Sequence, residues 1–138
     1  MPEYGYYEKL PRPESIYYFL SRVQCHNKVI SAEQIEEQLF KITKVNGKKI
    51  FIHLTNYYVV SEAEVYEIMS QHESYKIDCI VTISMWNGYS SSGKRVAKEN
   101  SMGLFVMNEF LGALNFDGQA FIDYITPEER KRREREAR

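Results

Sequence analysis

Leu39–Thr55 reads LFKITKVNGKKIFIHLT, two runs rich in β-branched and aromatic residues on either side of Asn46-Gly47. Asn-Gly tolerates the positive φ angles of a type I′ turn, whose twist matches that of the flanking strands. The stretch therefore predicts a hairpin of Leu39–Val45 with Lys48–Thr55. Alternation along the second run puts Ile50, Ile52 and Leu54 on one face and Phe51, His53 and Thr55 on the other. Both sets are largely apolar, which predicts a central strand covered on both sides.

Downstream, Ser61-Glu62-Ala63-Glu64 has the spacing of a capping box and opens a helix to Gln71, with Val65, Ile68 and Met69 on its apolar face. Ile77–Ser84 (IDCIVTIS) has the length and β-branched content of a buried strand. Strand, helix, strand predicts a parallel crossover. A polar loop from Trp86 to Gly93 then leads to a short helix, Lys94–Asn100. Gly103 is expected to end that helix in a left-handed cap, before a strand Leu104–Met107 and a helix Asn108–Leu114. Upstream, Pro13–Gln24 (PESIYYFLSRVQ) places Pro at a helix start and Ile16, Phe19, Leu20 and Val23 at helical spacing. Ser31 and Gln34 also have capping-box spacing, and Glu33–Gln38 fits either a short helix or a strand. Residues 1–12 read as an irregular arm and 126–138 as a charged tail, helical or frayed. The expectation is one α/β domain over 1–125, a three-layer arrangement with a central mixed sheet of hairpin and parallel crossover strands flanked by helices.

With 138 residues, 43% hydrophobic and 27% charged, the chain is long enough to hold a core without metal or disulfide. Eighteen Lys+Arg against nineteen Asp+Glu exclude a strongly basic protein that coats nucleic acid. No apolar run reaches the roughly 18 residues of a membrane span, and MPEYGYYEKLPRP has no signal-peptide core. A cytoplasmic protein away from membranes is expected. Cys25 and Cys79 read as reduced thiols, the second inside an apolar run. Cys25-His26 shows no ligand spacing with His53 or His72, so neither metal nor cofactor is implied.

Helix, hairpin, helix, parallel strand, helix and short strand is a layout that resembles the restriction-endonuclease-like (PD-(D/E)XK) superfamily, in its Mrr-like branch. The parts that carry the likeness are KKIFIHLTN, SEAEVYEIM, IDCIVTIS, GKRVAKEN and GLFVMNEF, between Phe40 and Leu114. The resemblance implies a sheet whose hairpin would carry acids for Mg²⁺ and a lysine that helps place the attacking water. Here the Glu-x-Lys positions fall on Phe51–Asn56, where the chain has no acid and no lysine. His53 and Thr55 cannot replace a carboxylate. The resemblance thus implies the fold without its catalytic site, a module that binds nucleic acid or a protein partner. At this size it could serve as an inhibitor or accessory factor in bacterial or phage defence. Eleven Tyr and seven Phe favour self-association, which leaves a homodimer open.

The candidate site residues follow from position. The loop Ser84–Ser92 lies beyond the carboxyl end of a buried strand and before a helix, where open α/β sheets hold ligands. Ser84, Trp86, Asn87, Tyr89 and Ser90 in that loop, with Asn56 at the end of the hairpin strand, are the candidates for a ligand or partner. Lys48 and Lys49 beside the hairpin turn, with Lys94 and Arg95, would form a phosphate-binding patch if they met on one face. The alternative function is a protein or enzyme that binds a small phosphorylated ligand, such as a nucleotide, at Trp86–Arg95. His53, on a largely apolar strand, reads as a hydrogen-bonded core histidine.

Overall fold

The structure is a computed structural model that describes residues 9–72 and 74–137. Of the expected N-terminal arm, residues 1–8 lie outside the described part. Helix α1 (Pro13–Gln24) begins at its proline, carries Glu14 in its first turn and buries Phe19 and Val23. Strand β1 (Val29–Gln34) follows, antiparallel to β2 (Leu39–Lys44), with Ser31 opposite Thr43 and Gln34 opposite Phe40. The Ser31/Gln34 spacing therefore caps nothing: the strand ladder satisfies backbone groups that a helix start would have left open.

Strand β3 (Lys49–Thr55) pairs with β2 from Thr43–Lys49 to Leu39–His53. The turn between them is not type I′. Only Gly47 is left-handed, at φ +86°, while the Gly47 N–H donates to Lys44 O (2.9 Å) and the Lys44 N–H to Lys48 O (2.8 Å). That is the three-residue connection of a type I turn closed by a glycine bulge. Asn46 stays out of the left-handed region, and its side chain bridges outward. Its Oδ1 accepts from the Lys48 N–H (3.0 Å) and its Nδ2 donates to Asp117 Oδ2 (2.9 Å).

Beyond β3 come β4 (Val59–Val60), α2 (Glu62–Gln71), β5 (Cys79–Thr82), β6 (Gly88–Tyr89), α3 (Ser91–Glu99), β7 (Gly103–Val106), α4 (Met107–Ala113), α5 (Gly118–Ile122) and α6 (Pro127–Glu136). The main sheet runs β1-β2-β3-β5-β7, with β3, β5 and β7 parallel, and β4 and β6 form a small parallel pair of their own. The expected mixed sheet and its crossover are present, with β3 in the middle. Period-two alternation divides two cores between the faces. Ile42, Ile52, Leu54, Val81 and Phe105 meet α1, α4 and α5 on one side, and Ile80 and Leu104 meet α2 and α3 on the other. Phe110 is fully buried with Phe19, Phe105 and Phe121 around it, and truncation of a phenylalanine so placed costs about 3–5 kcal/mol.

Several boundaries differ from the sequence reading, with β5 shortened to Cys79–Thr82 and β7 shifted to Gly103–Val106. Helix α3 starts at Ser91, because the Ser90 side chain caps it by accepting from the Gly93 N–H (2.9 Å). The left-handed residue after α3 is Ser101 at φ 59°, not Gly103. Gly103 opens β7, where a Cβ would run into the Phe105 ring. Helix α4 starts one residue before Asn108, and its first-turn acid Glu109 turns back to accept from the Val106 N–H (3.1 Å). Cys25 is exposed, Cys79 is buried, and both are free. Among the described residues no helix is long and apolar enough to cross a membrane.

Candidate ligand-binding cleft

The carboxyl ends of β3 and β5 bring Asn56, Ser84 and Asn87 together. Asn56 Oδ1 accepts from Ser84 Oγ (2.5 Å) and from Asn87 Nδ2 (3.0 Å). Asn87 Nδ2 also donates to Thr82 Oγ1 (3.0 Å), and Thr82 Oγ1 donates to Tyr57 O (2.7 Å). These groups fasten the loop after β3 to the loop after β5. Their hydrogen-bonding capacity is directed at one another, as buried polar groups require. At the tip of the second loop, Met85 and Trp86 are 84% and 76% exposed.

Tyr89 and Ser90 belong to a different place. Ser90 caps α3, and Tyr89 lines a cleft of about 780 Å³ among α3, the start of α4 and α6. Ser91, Lys94, Arg95, Lys98, Glu109, Thr126, Glu129 and Arg133 also line it. The Tyr89 hydroxyl lies 2.9 and 2.8 Å from the two Glu109 oxygens, donating to that carboxylate. Burial, and then the Glu109 charge, pushes the phenol far above its ordinary range, so it stays protonated. Lys94 Nζ donates to Leu104 O (2.5 Å) and lies 4.4 Å over the Phe105 ring and 5.1 Å over the Tyr89 ring. Burial lowers its ammonium to about 8, against the pull of the Glu109 charge and with a push from Lys98.

Ion pairing separates Lys94 from its neighbours. Arg95 pairs with Glu62 (3.1 Å) and Glu99 (3.6 Å), Lys98 with Asp123 (3.4 Å), and Arg133 with Glu129 (3.1 Å). Among the described residues, Lys94 is the cation of the cleft with no carboxylate oxygen within 4.0 Å. Lys48 and Lys49 line a second, smaller cleft of about 280 Å³ with Lys44, Asp78 and Asp117, and the two clefts share no lining residue. The four cations expected as one patch thus divide into two pairs. Lys44, 3% exposed, donates to Asp117 Oδ1 (2.7 Å) and Phe116 O (2.8 Å), and that hydrogen bond holds the Asp117 carboxyl below its usual range.

His53 is a buried, hydrogen-bonded histidine, but with a partner that sequence spacing did not suggest. Its Nδ1 lies 2.7 Å from His72 Nε2, and its Nε2 lies 3.3 Å from Gln38 Nε2. With the Gln38 amide donating to Nε2, Nδ1 carries the proton and donates to His72. Burial first, and His72 second, lowers His53 to about 3, so the ring is neutral at ordinary pH. Asp78 accepts from the Phe51 N–H (2.8 Å) and ties β3 to the start of β5, with its carboxyl raised by burial. Among the described residues no group of three or more His, Cys, Asp and Glu is placed to hold a metal ion.

Sequence reading missed Glu109 and Arg133 as parts of the cleft. Glu109 had a detectable signal, an acid in the first turn of a helix that follows a strand directly. Arg133 had none, since a mixed-charge tail reads as solvated wherever it docks. No family model matches the chain, and no curated protein and no solved structure matches it.

Proposed function

We propose that the chain is a non-catalytic binding module that holds a small phosphorylated ligand in the α3–α4–α6 cleft. The observation that carries this reading is Lys94, a half-buried cation beside two aromatic rings, directed to a carbonyl and free of carboxylate partners. An anion entering the cleft would meet a cation with no carboxylate oxygen within 4.0 Å among the described residues, in surroundings drier than bulk water. The order α1, the antiparallel strands β1 to β3, α2 and parallel β5 supports the resemblance to the restriction-endonuclease-like layout. The lack of acid and lysine over Phe51–Asn56 supports the loss of that family's chemistry.

Isothermal titration with pyrophosphate tests the reading. Lys94→Met should weaken binding about 10- to 100-fold, since a hydrogen bond to a charged group contributes about 1.5–3 kcal/mol. Equal affinity in wild type and variant would refute it.

A second reading, contact with nucleic acid or a protein partner, is favoured by the exposed Met85 and Trp86. These lie at the end of the sheet where the Gly88 N–H reaches Tyr58 O (2.8 Å), and Tyr58 is itself 71% exposed. Aromatic side chains so exposed suit base stacking or burial against a partner. Light-scattering chromatography with short DNA and RNA, at low and moderate salt, separates the two readings. A mass shift abolished by Trp86→Ala and indifferent to Lys94→Met would move the function to the loop.

A further inference from the structure

We infer that Lys94 captures the carbonyl carbon of an aldehyde or ketone ligand as an imine, with the ligand's anionic group held in the same cleft. The inference rests on the binding reading above and adds covalent chemistry to it. Imine formation needs an amine that is deprotonated in part, reachable by a small molecule and not pinned by an acid. Lys94 meets each requirement. It lines an open cleft, and its Nζ donates to the Leu104 carbonyl, which a neutral amine satisfies with a single hydrogen. Among the described residues, carboxylate oxygens lie within 4.0 Å of Arg95, Lys98 and Arg133 but not of Lys94. Burial reinforces the geometry by bringing its ammonium down to about 8.

The step balances without an oxidant or reductant. The Nζ lone pair attacks the carbonyl carbon, and the π pair moves to oxygen, which takes up a proton, while nitrogen releases one. The resulting carbinolamine then loses its hydroxyl as water as the C=N bond forms. Protons exchange with solvent in the open cleft. The imine nitrogen can take up a proton, so the positive charge that recognises an anion is not lost on reaction. The Tyr89 ring, beside Nζ and fixed through its hydroxyl to Glu109, supplies a flat wall for an unsaturated ligand.

Pyridoxal 5′-phosphate, an aldehyde that carries a phosphate, is the probe. The full chain is incubated with it, reduced with borohydride and mapped by peptide mass spectrometry. Label on Lys94 should exceed that on every other lysine at least tenfold, fall several-fold when pyridoxal replaces its phosphate, and rise from pH 7 to pH 9. Lys94→Met should lose the preferred label without raising the label on any other lysine, with its melting temperature confirming that it folds. Label spread evenly over the lysines, alongside intact pyrophosphate binding, would overturn the imine and leave the anion reading standing. Even labelling with no pyrophosphate binding would overturn both.

Discussion

Two polar clusters of this molecule differ in how completely they close on themselves. At the sheet's end, Asn56, Ser84, Asn87 and Thr82 exchange hydrogen bonds within one network. In the cleft, Tyr89 and Glu109 close on each other, but Lys94 has only a carbonyl and two rings. A polar group that has found its partner inside the protein contributes stability. One that has not is available to a ligand. The contrast teaches that polar residues near a strand's carboxyl end can serve to fasten loops to one another, as Asn56, Ser84 and Asn87 do here.

The largest effect expected from breaking the contrast comes at the closed cluster. Asn56→Ala leaves the Ser84 hydroxyl and the Asn87 amide without their acceptor and should cost about 2–4 kcal/mol in urea unfolding. Pyrophosphate affinity should stay unchanged. A weakened affinity would mean that the two clusters are coupled. His53, another closed group, sharpens the comparison through pH. Its folded-state pKa is lowered from 6.5 to about 3, so the unfolded chain binds the extra proton first as pH falls. Stability is full above about pH 6.5 and is lost as pH falls from there toward 3, at up to about 1.4 kcal/mol per pH unit. His53→Gln should flatten that slope in urea titrations between pH 7 and pH 5. A slope that persists would place the proton uptake elsewhere.

The open cleft answers in the opposite direction and more weakly. Sulfate keeps its charge between pH 7 and 9, so its affinity should follow the Lys94 ammonium, which titrates at about 8. A decline of about tenfold over that range, near 1.4 kcal/mol, is expected. A flat profile would remove Lys94 from the anion site.

What the sequence disclosed divides along similar lines. Helix α1 agrees with its reading at both ends because a proline start and apolar spacing are local signals. The hairpin and the buried β5 were legible for the same reason, as runs of β-branched residues around Asn46-Gly47 and across Ile77–Ser84. The turn type was not, since Asn46 gives up its left-handed option to a side-chain bond with Asp117, 71 residues away. The short helix α5 left no trace, with five residues and no side-chain cap. The cleft was half legible. Tyr89, Lys94 and Arg95 were named from their place in one loop. Glu109 and Arg133 reach them from α4 and α6, through contacts that no local pattern encodes. Lys48 and Lys49 were grouped with Lys94 by charge, and the chain path puts them in another cleft.

The wall that carries Tyr89 is only two residues long. Strand β6 pairs with an equally short β4, outside the five-stranded sheet whose middle strand β3 has a neighbour on each side. Amide protons on β3 are thus released to solvent by opening of the whole domain, while those of Gly88–Tyr89 are exposed by parting a single small ladder. A molecule lodged against Tyr89 would slow isotope exchange there first and most, and the centre of the sheet would register it only through the stability of the whole. The Tyr89 wall of the proposed site thus sits on a small ladder that opens separately from the five-stranded sheet beside it.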